Sequence, residues 1–340
     1  MLSLRAAAAL VAAATLATGL TACSGEPDKD ITVYSGRTQS LVQPLIDEFT
    51  KKTGITVDVR YGTTAQMAAQ LQEEGAKSPA DVFLSQDAGA LGAVSKAGLL
   101  TALPDEVLQK VPAAYRSRSG HWVGVTGRLR VLAYNADQVK PADLPATVLE
   151  MTDPKWRGKL GVAPTNASFQ SFVTALRVQH GDDKAREFLA GVAANSPQIR
   201  DNNIVIVGEI QDGKLAAGLV NHYYLFEKAK ELGVSPEQLK VKLHYFADGD
   251  TGGLLNVSGV GVLSGSAGNS KVRSFVDHLL GTEGQTYFAE KTFEYPLVAG
   301  VPTAPGLPAL ADLHAPKIDL NDLDTLTASV EMIQASGLTS

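Results

Sequence analysis

The strongest constraint on this chain is an alternation of two periods. Short runs rich in β-branched residues are separated by longer segments whose apolar residues fall at helical spacing. Ile31-Thr32-Val33-Tyr34-Ser35 reads as a strand that stops at Gly36. Leu41, Val42, Leu45, Ile46 and Phe49 mark one face of a helix that ends at Gly54, with Pro44 near its start. Residues 55–61 alternate as a second strand, 64–74 are helical, Asp81-Val82-Phe83-Leu84 is a short buried strand, and 88–100 are helical again. Further on, 129–135, 159–163, 215–220 and 242–246 read as strands. Residues 169–180, 184–194, 272–280, 282–290 and 328–335 read as helices. Residues 248–253, rich in Gly and Asp, read as a turn or crossover. The pattern predicts an α/β fold with a mostly parallel sheet covered on both faces.

A chain of 340 residues suits two domains of ordinary size or one large one. The formal net charge of −6 argues against nucleic acid as partner, because neutralising phosphates requires clustered Lys and Arg. A single cysteine, Cys23, excludes an intramolecular disulfide and any Cys-rich metal site. Residues 1–22 read as a secretion signal: Arg5 is the only charge, and the apolar run is too short and Ala-rich for a comfortable membrane span. The run ends in Leu20-Thr21-Ala22-Cys23-Ser24-Gly25, which resembles a bacterial lipoprotein signal whose cysteine is acylated. Residues 23–30 then read as a tether. The mature protein is expected outside the cell membrane, held to its outer face by lipid.

In open α/β sheets, ligands bind beyond the carboxyl ends of strands. That rule selects 35–38, 85–87, 126–128, 164–168, 202–203 and 221–224, segments rich in hydroxyls, amides and arginines. Tyr223-Tyr224 could supply two phenolates, hard anionic donors suited to Fe³⁺, provided that both lie beyond a strand end; the same pair could equally pack in a core. Asn166 or Ser168 could cap a helix and expose its positive end to an anion. Arg37 and Arg128 could clamp a carbonate, phosphate or carboxylate, and Asn203 and Asn221 could add neutral donors or serve as turn residues. His222 is the one histidine beside this set; it reads either as a group that supports the site's ligands from behind or, by preference, as a residue facing solvent.

An enzyme is poorly supported. There is no Gly-x-Ser-x-Gly elbow, no phosphate-cradling Gly-Lys-Ser/Thr loop and no His-Glu-x-x-His helix, and Gly261-Val262-Leu263-Ser264-Gly265 has the wrong spacing.

Seven stretches, in order along nearly the whole mature chain, carry a resemblance. They are 30–37, Pro79-Ala80-Asp81-Val82-Phe83, 127–135, Trp156-Arg157-Gly158-Lys159, 164–169, Asn221-His222-Tyr223-Tyr224 and Phe293-Glu294-Tyr295-Pro296-Leu297. Together they resemble the ferric-iron-binding receptors of bacterial ABC transporters, the bacterial transferrin-like proteins. The resemblance implies a type II periplasmic-binding-protein fold, with two lobes and the ligand in the cleft between them. The expected lobes are 31–127 with about 254–297, and 128–253 with about 298–340. It implies that Tyr223 and Tyr224 ligate Fe³⁺ and that a synergistic anion, carbonate or phosphate, completes the shell. In the phosphate-using branch the anion is held at positions matching Asn166, Ala167, Ser168, Asn203 and Asn221. That branch's histidine and glutamate ligands fall here at Thr38 and Gln86, neither a good anionic ligand for Fe³⁺. A second branch lacks those ligands and places an arginine at the position of Arg37, with Arg128 a plausible second clamp. Asp87 adjoins the lost glutamate and could reach inward, although neighbouring strand residues normally face opposite ways. Tyr34, Tyr61 and Tyr134 could each offer a third phenolate or belong to the core. The implied partners are an ABC permease and its ATPase, and the implied state is a monomer that catalyses no reaction. A receptor for an organic anion, thiamine, a polyamine or an iron chelate is the alternative on the same fold.

Overall fold

The structure, a computed structural model, describes residues 29–339. The expected signal segment 1–22, Cys23 with its expected acylation and most of the expected tether lie outside the described residues. The chain runs β1 (Ile31–Ser35), α1 (Gln39–Thr53), β2 (Val57–Tyr61), α2 (Thr64–Glu74), β3 (Val82–Ser85), α3 (Ala88–Lys96), α4 (Asp105–Leu108) and β4 (Trp122–Asn135). It continues through β5 (Leu160–Val162), α5 (Ala167–His180), α6 (Asp182–Ala194), β6 (Gln198–Ile199), α7 (Asn203–Gln211), β7 (Ala217–Asn221) and α8 (Tyr223–Leu232). It closes with β8 (Val241–His244), β9 (Leu255–Val262), α9 (Ser270–Leu279), α10 (Thr282–Lys291), β10 (Tyr295–Pro296) and α11 (Leu326–Ala335).

The strands form one mixed sheet in the order β2-β1-β3-β9-β4-β7-β5-β6, with β8 and β10 also paired to β4. The flanks are parallel: β1 pairs with β2 and β3, and β5 with β6 and β7. The centre is antiparallel, because β9 runs against both β3 and β4, and β7 runs against β4. The mostly parallel expectation therefore holds at the edges only. The sequence pattern covered 129–135 alone and so missed that β4 begins seven residues earlier. The whole strand is buried but for Tyr134, so it lacks the alternation that marks a half-exposed strand.

β4 organises the site. Its first half pairs with β9 and β10, and its second half with β7 and β8. One core draws mainly on residues 31–125 and 254–297. Two more sit on opposite faces of the β4–β7 ladder: Leu132 and Leu219 point to one, Val131 and Val220 to the other. The tail ties these cores together, since Leu320 and Leu323 join the first and Met332 and Ile333 another. Pro44 lies at the sixth position of α1, past the first turn where the sequence placed it. Its ring is exposed, so the Ser40 carbonyl it leaves without a helical donor faces water.

Candidate functional site

The starts of α5 and α8 meet beside β4, where Asn221 bonds both Ser168 and Arg130. β7 ends at Asn221, the chain turns at His222, and Tyr223 and Tyr224 open α8. The tyrosines thus lie beyond a strand end, the condition under which both can serve one site. They are first-turn helix residues near the positive end of the helix dipole, which favours a phenolate. Their rings lie 4.2 Å apart at 36°, and both are buried. Burial raises the Tyr223 phenol above the ordinary tyrosine value, against the pull of Arg128 and Arg37. Burial, and then the charge Tyr223 would carry, push Tyr224 well above it.

Three buried arginines face this pair. Arg37 sits on the loop after β1, and Arg128 and Arg130 lie two residues apart on one face of β4. Burial, the largest influence, works against the charge of Arg37, but Glu294 together with Tyr223 and Tyr224 offsets it and holds the guanidinium above the ordinary arginine value. Arg37 Nη2 donates to Glu294 Oε2 at 2.7 Å, and Arg128 Nε lies 3.8 Å from Glu294 Oε1. Arg130 donates to Asn221 Oδ1 at 3.3 Å and to the Leu219 carbonyl at 3.1 Å. Burial pulls Arg130 down to about 9, which leaves it charged at neutral pH.

Several donors here have no hydrogen-bond partner: Arg37 Nε, Arg128 Nε and Nη1, Arg130 Nε and the Asn203 amide. Buried polar groups are ordinarily paired, and leaving one unpaired costs about 1–3 kcal/mol. Guanidinium donors gathered behind two phenols fit an anion that bridges arginines and a phenolate-bound cation. Among the described residues, no group of three or more His, Cys, Asp or Glu could hold a metal ion. The paired phenols are therefore the clustered donors that the chamber offers, with the carboxyls of Glu294 and Glu227 near them.

The chamber lies under a cleft of about 510 Å³, with Arg37, Thr38 and Gln86 on one wall and Asn166, Ala167 and Gln170 on the other. Thr64 Oγ1 holds the first wall, donating to the Gly36 carbonyl at 3.3 Å and accepting the Gln86 N–H at 3.2 Å. A Cβ on Gly36 would meet Thr64 Oγ1 at 2.2 Å, so this approach requires glycine. Asn166 caps α5 by accepting the Ser168 N–H at 3.0 Å. Ser168 Oγ accepts Asn221 Nδ2 at 3.1 Å and Gln86 Nε2 at 3.2 Å. Asn203 opens α7, which packs against α8, while Asn202 is the cap, accepting the Val205 N–H at 3.0 Å.

Of the remaining candidates, Thr38 stands on the cleft wall and the others are engaged elsewhere. Thr38 is exposed at the N-terminus of α1 with no capping hydrogen bond from its side chain. Asp87 caps α3, accepting the Ala90 N–H at 2.9 Å, and burial raises its carboxyl above the ordinary aspartate value. Tyr34 bonds Glu74 at 2.9 Å and Arg60 at 2.8 Å, Tyr61 bonds Gln43 at 2.7 Å, and Tyr134 packs against a hydrophobic core. His222 does not face solvent. It is fully buried, with Nδ1 accepting the Leu129 N–H at 3.2 Å and Nε2 donating to the Phe293 carbonyl at 2.9 Å. An amide can only donate and a carbonyl can only accept, so this pairing fixes a neutral tautomer. The turn between β7 and α8 brings the ring back against β4, and a histidine flanked by polar and aromatic residues gives no sign of that.

The sequence reading missed Arg130 and Glu294 as site residues. The spacing Arg128-x-Arg130 within a strand signals a shared face and could have found the first. No local pattern signals Glu294, whose partner Arg37 is 257 residues away.

Residues 77–320 match the family described as bacterial extracellular solute-binding protein. The Fe(3+)-binding periplasmic protein of Serratia marcescens is 33% identical over 337 residues, which cover 99% of this chain and 98% of that one. Iron-bound HitA from Pseudomonas aeruginosa has a TM-score of 0.86 at 34% identity, over 91% of this chain and 100% of that one. The Trichodesmium protein (IdiA, FutA) in complex with iron and citrate ligands has a TM-score of 0.76 at 30% identity, over 90% of this chain and 99% of that one. On the family match and these relatives, the chain belongs to the bacterial extracellular solute-binding proteins.

Proposed function

We propose that this protein is an extracytoplasmic receptor that captures ferric iron with a synergistic anion and passes it to an ABC permease driven by its ATPase. The observation that carries the reading is the pair Tyr223 and Tyr224, buried side by side at the start of α8 and faced by Arg37, Arg128 and Arg130. Two phenolates bind Fe³⁺ as hard anionic donors. They leave most of an octahedral shell open, and a bidentate anion such as carbonate fills two further positions. Arg37 and Arg128 clamp that anion, and Asn166, Ala167, Ser168, Asn203 and Asn221 supply neutral contacts. Relatives named or solved as iron-binding proteins support ferric iron as the cargo.

The lobes are assigned as 31–127 with about 254–297 and 128–253 with about 298–340. Arg37 and Gln86 then close from one lobe on Tyr223, Tyr224 and Ser168 of the other, so a ligand that touches both drives closure. The receptor acts as a monomer, tethered through lipid on Cys23 to the outer face of the cell membrane. It catalyses no reaction.

Metal-free protein given Fe³⁺ and bicarbonate at neutral pH should develop a visible phenolate-to-iron charge-transfer band, and a Y223F/Y224F variant should not. Wild-type protein that stays colourless and binds no iron tightly under these conditions would defeat the reading.

A further inference from the structure

We propose that Glu294 is a specificity-determining residue: a built-in carboxylate that offsets one of the chamber's guanidiniums and thereby limits the charge of the anion accompanying the cargo. The inference rests on the ferric reading above.

Glu294 is fully buried, with one carboxylate oxygen 2.7 Å from Arg37 Nη2 and the other 3.8 Å from Arg128 Nε. Thr292 Oγ1 donates to its Oε2 at 3.0 Å, while Oε1 has no hydrogen-bond partner. The carboxylate therefore stands between the two arginines that clamp the anion.

Its placement is enforced. The preceding residue, Phe293, has φ of 57°, a left-handed conformation unfavourable for a bulky side chain. Three contacts hold it there. His222 Nε2 donates to the Phe293 carbonyl at 2.9 Å, the Phe293 ring stacks on Phe226 of α8 at 5.5 Å, and the Glu294 N–H donates to the Phe288 carbonyl at 3.2 Å. Two of the three tie Glu294 to the turn and helix that carry Tyr223 and Tyr224. A buried ion pair is weak evidence for stability, since apolar residues of the same volume often serve as well. A carboxylate held by a strained backbone against two arginines points to electrostatic tuning of what those arginines accept.

Among the three guanidiniums of the chamber, Glu294 is the carboxylate in ion-pair contact with two. Glu227, which also faces the tyrosines, is pushed up to about 8 by burial, and burial likewise raises Asp87 near Arg128, so neither offsets the arginines as Glu294 does. Removing the Glu294 charge adds one unit of positive charge beside the anion, and the balance moves toward a more highly charged anion.

Metal-free wild type and E294Q are each loaded with ferric iron, with bicarbonate or citrate as the sole added anion. The visible band gives half-saturation in each case, and chelation by citrate in solution cancels when the two proteins are compared. We expect the preference for citrate over bicarbonate to rise about tenfold or more in E294Q. A preference within about twofold of wild type would overturn the inference, because a purely structural role would weaken both anions alike. E294D keeps the charge and should keep the wild-type preference; a shift toward citrate in E294D would also overturn it. If thermal melting shows E294Q to be unfolded, E294A takes its place as the charge-removing variant, with the same expected rise and the same overturning result. Absence of the band in wild type with both anions would defeat the ferric reading itself, and the inference with it.

Discussion

Gln86 Nε2 donates to Ser168 Oγ at 3.2 Å, joining the loop after β3 to the first turn of α5 across the mouth of the cleft. The same hydroxyl accepts Asn221 Nδ2, so its own proton is left to point toward an anion. An amide here latches the cleft. Q86A should lose about 1 kcal/mol of closure. Iron release to a competing chelator, followed by stopped flow, should then be about fivefold faster, with the charge-transfer maximum unmoved. A displaced maximum would instead make Gln86 an iron ligand.

The buried phenols predict a proton count. Burial holds both Tyr223 and Tyr224 above the ordinary tyrosine value, so both are protonated in the metal-free protein at neutral pH. Iron must displace both protons, and apparent affinity should rise by about a hundredfold per pH unit on that account. In a weakly buffered titration, wild type should release about one proton more per iron bound than Y223F or Y224F does. Equal release in wild type and both variants would mean that the phenols stay protonated, and that the chamber binds its cargo in another way.

The parts of this site legible in the sequence are those set by local chemistry. Tyr223 and Tyr224 stand out as adjacent phenols at the end of a strand, and Asn166 as one of two candidate caps, because each signal lies within a few residues. β7 and β3 were found from short apolar runs. β9, also buried throughout, was missed, because the Gly and Ser residues that alternate along it dilute its apolar signal. α7 and α8 were missed for different reasons. The apolar residues of α7 include the exposed Ile204 and Val205, which blur its helical stripe. The Tyr pair at the start of α8 looked like the end of the preceding strand. Glu294 and the buried role of His222 come from tertiary contacts that no sequence period records. Positive φ at a phenylalanine is equally invisible, because propensity argues against it.

Asp87 provides a test of role by position. Its Oδ1 caps α3, and its other oxygen has no hydrogen-bond partner. A cap contributes about 1–2 kcal/mol when Asp is replaced by Ala. D87A should therefore lower stability to denaturant by about that amount. D87N, which retains a cap acceptor, should lose less. Neither should move the charge-transfer maximum. A shift of the band in D87A with little change in stability would reverse the assignment and make Asp87 a ligand.

His222 gives the receptor an acid-sensitive fold. Burial holds the imidazole down to about 4 in the folded protein, whereas an unfolded histidine titrates near ~6.5. Below ~6.5 the unfolded chain takes up a proton that the folded chain refuses, so folding is penalised as the pH falls. The contribution of the neutral ring is complete above ~6.5 and is lost progressively down to about 4, on the order of 3 kcal/mol in all. In H222Q, the amide can both accept from Leu129 and donate to Phe293 but does not titrate. Urea denaturation of metal-free protein between neutral and acidic pH should show H222Q somewhat less stable at neutral pH. Its acid limb should be shallower than that of wild type by about 3 kcal/mol. Parallel acid limbs would show that the ring is already protonated in the fold. The bond from His222 to Phe293, and with it the positioning of Glu294, would then remain, but as a charged contact.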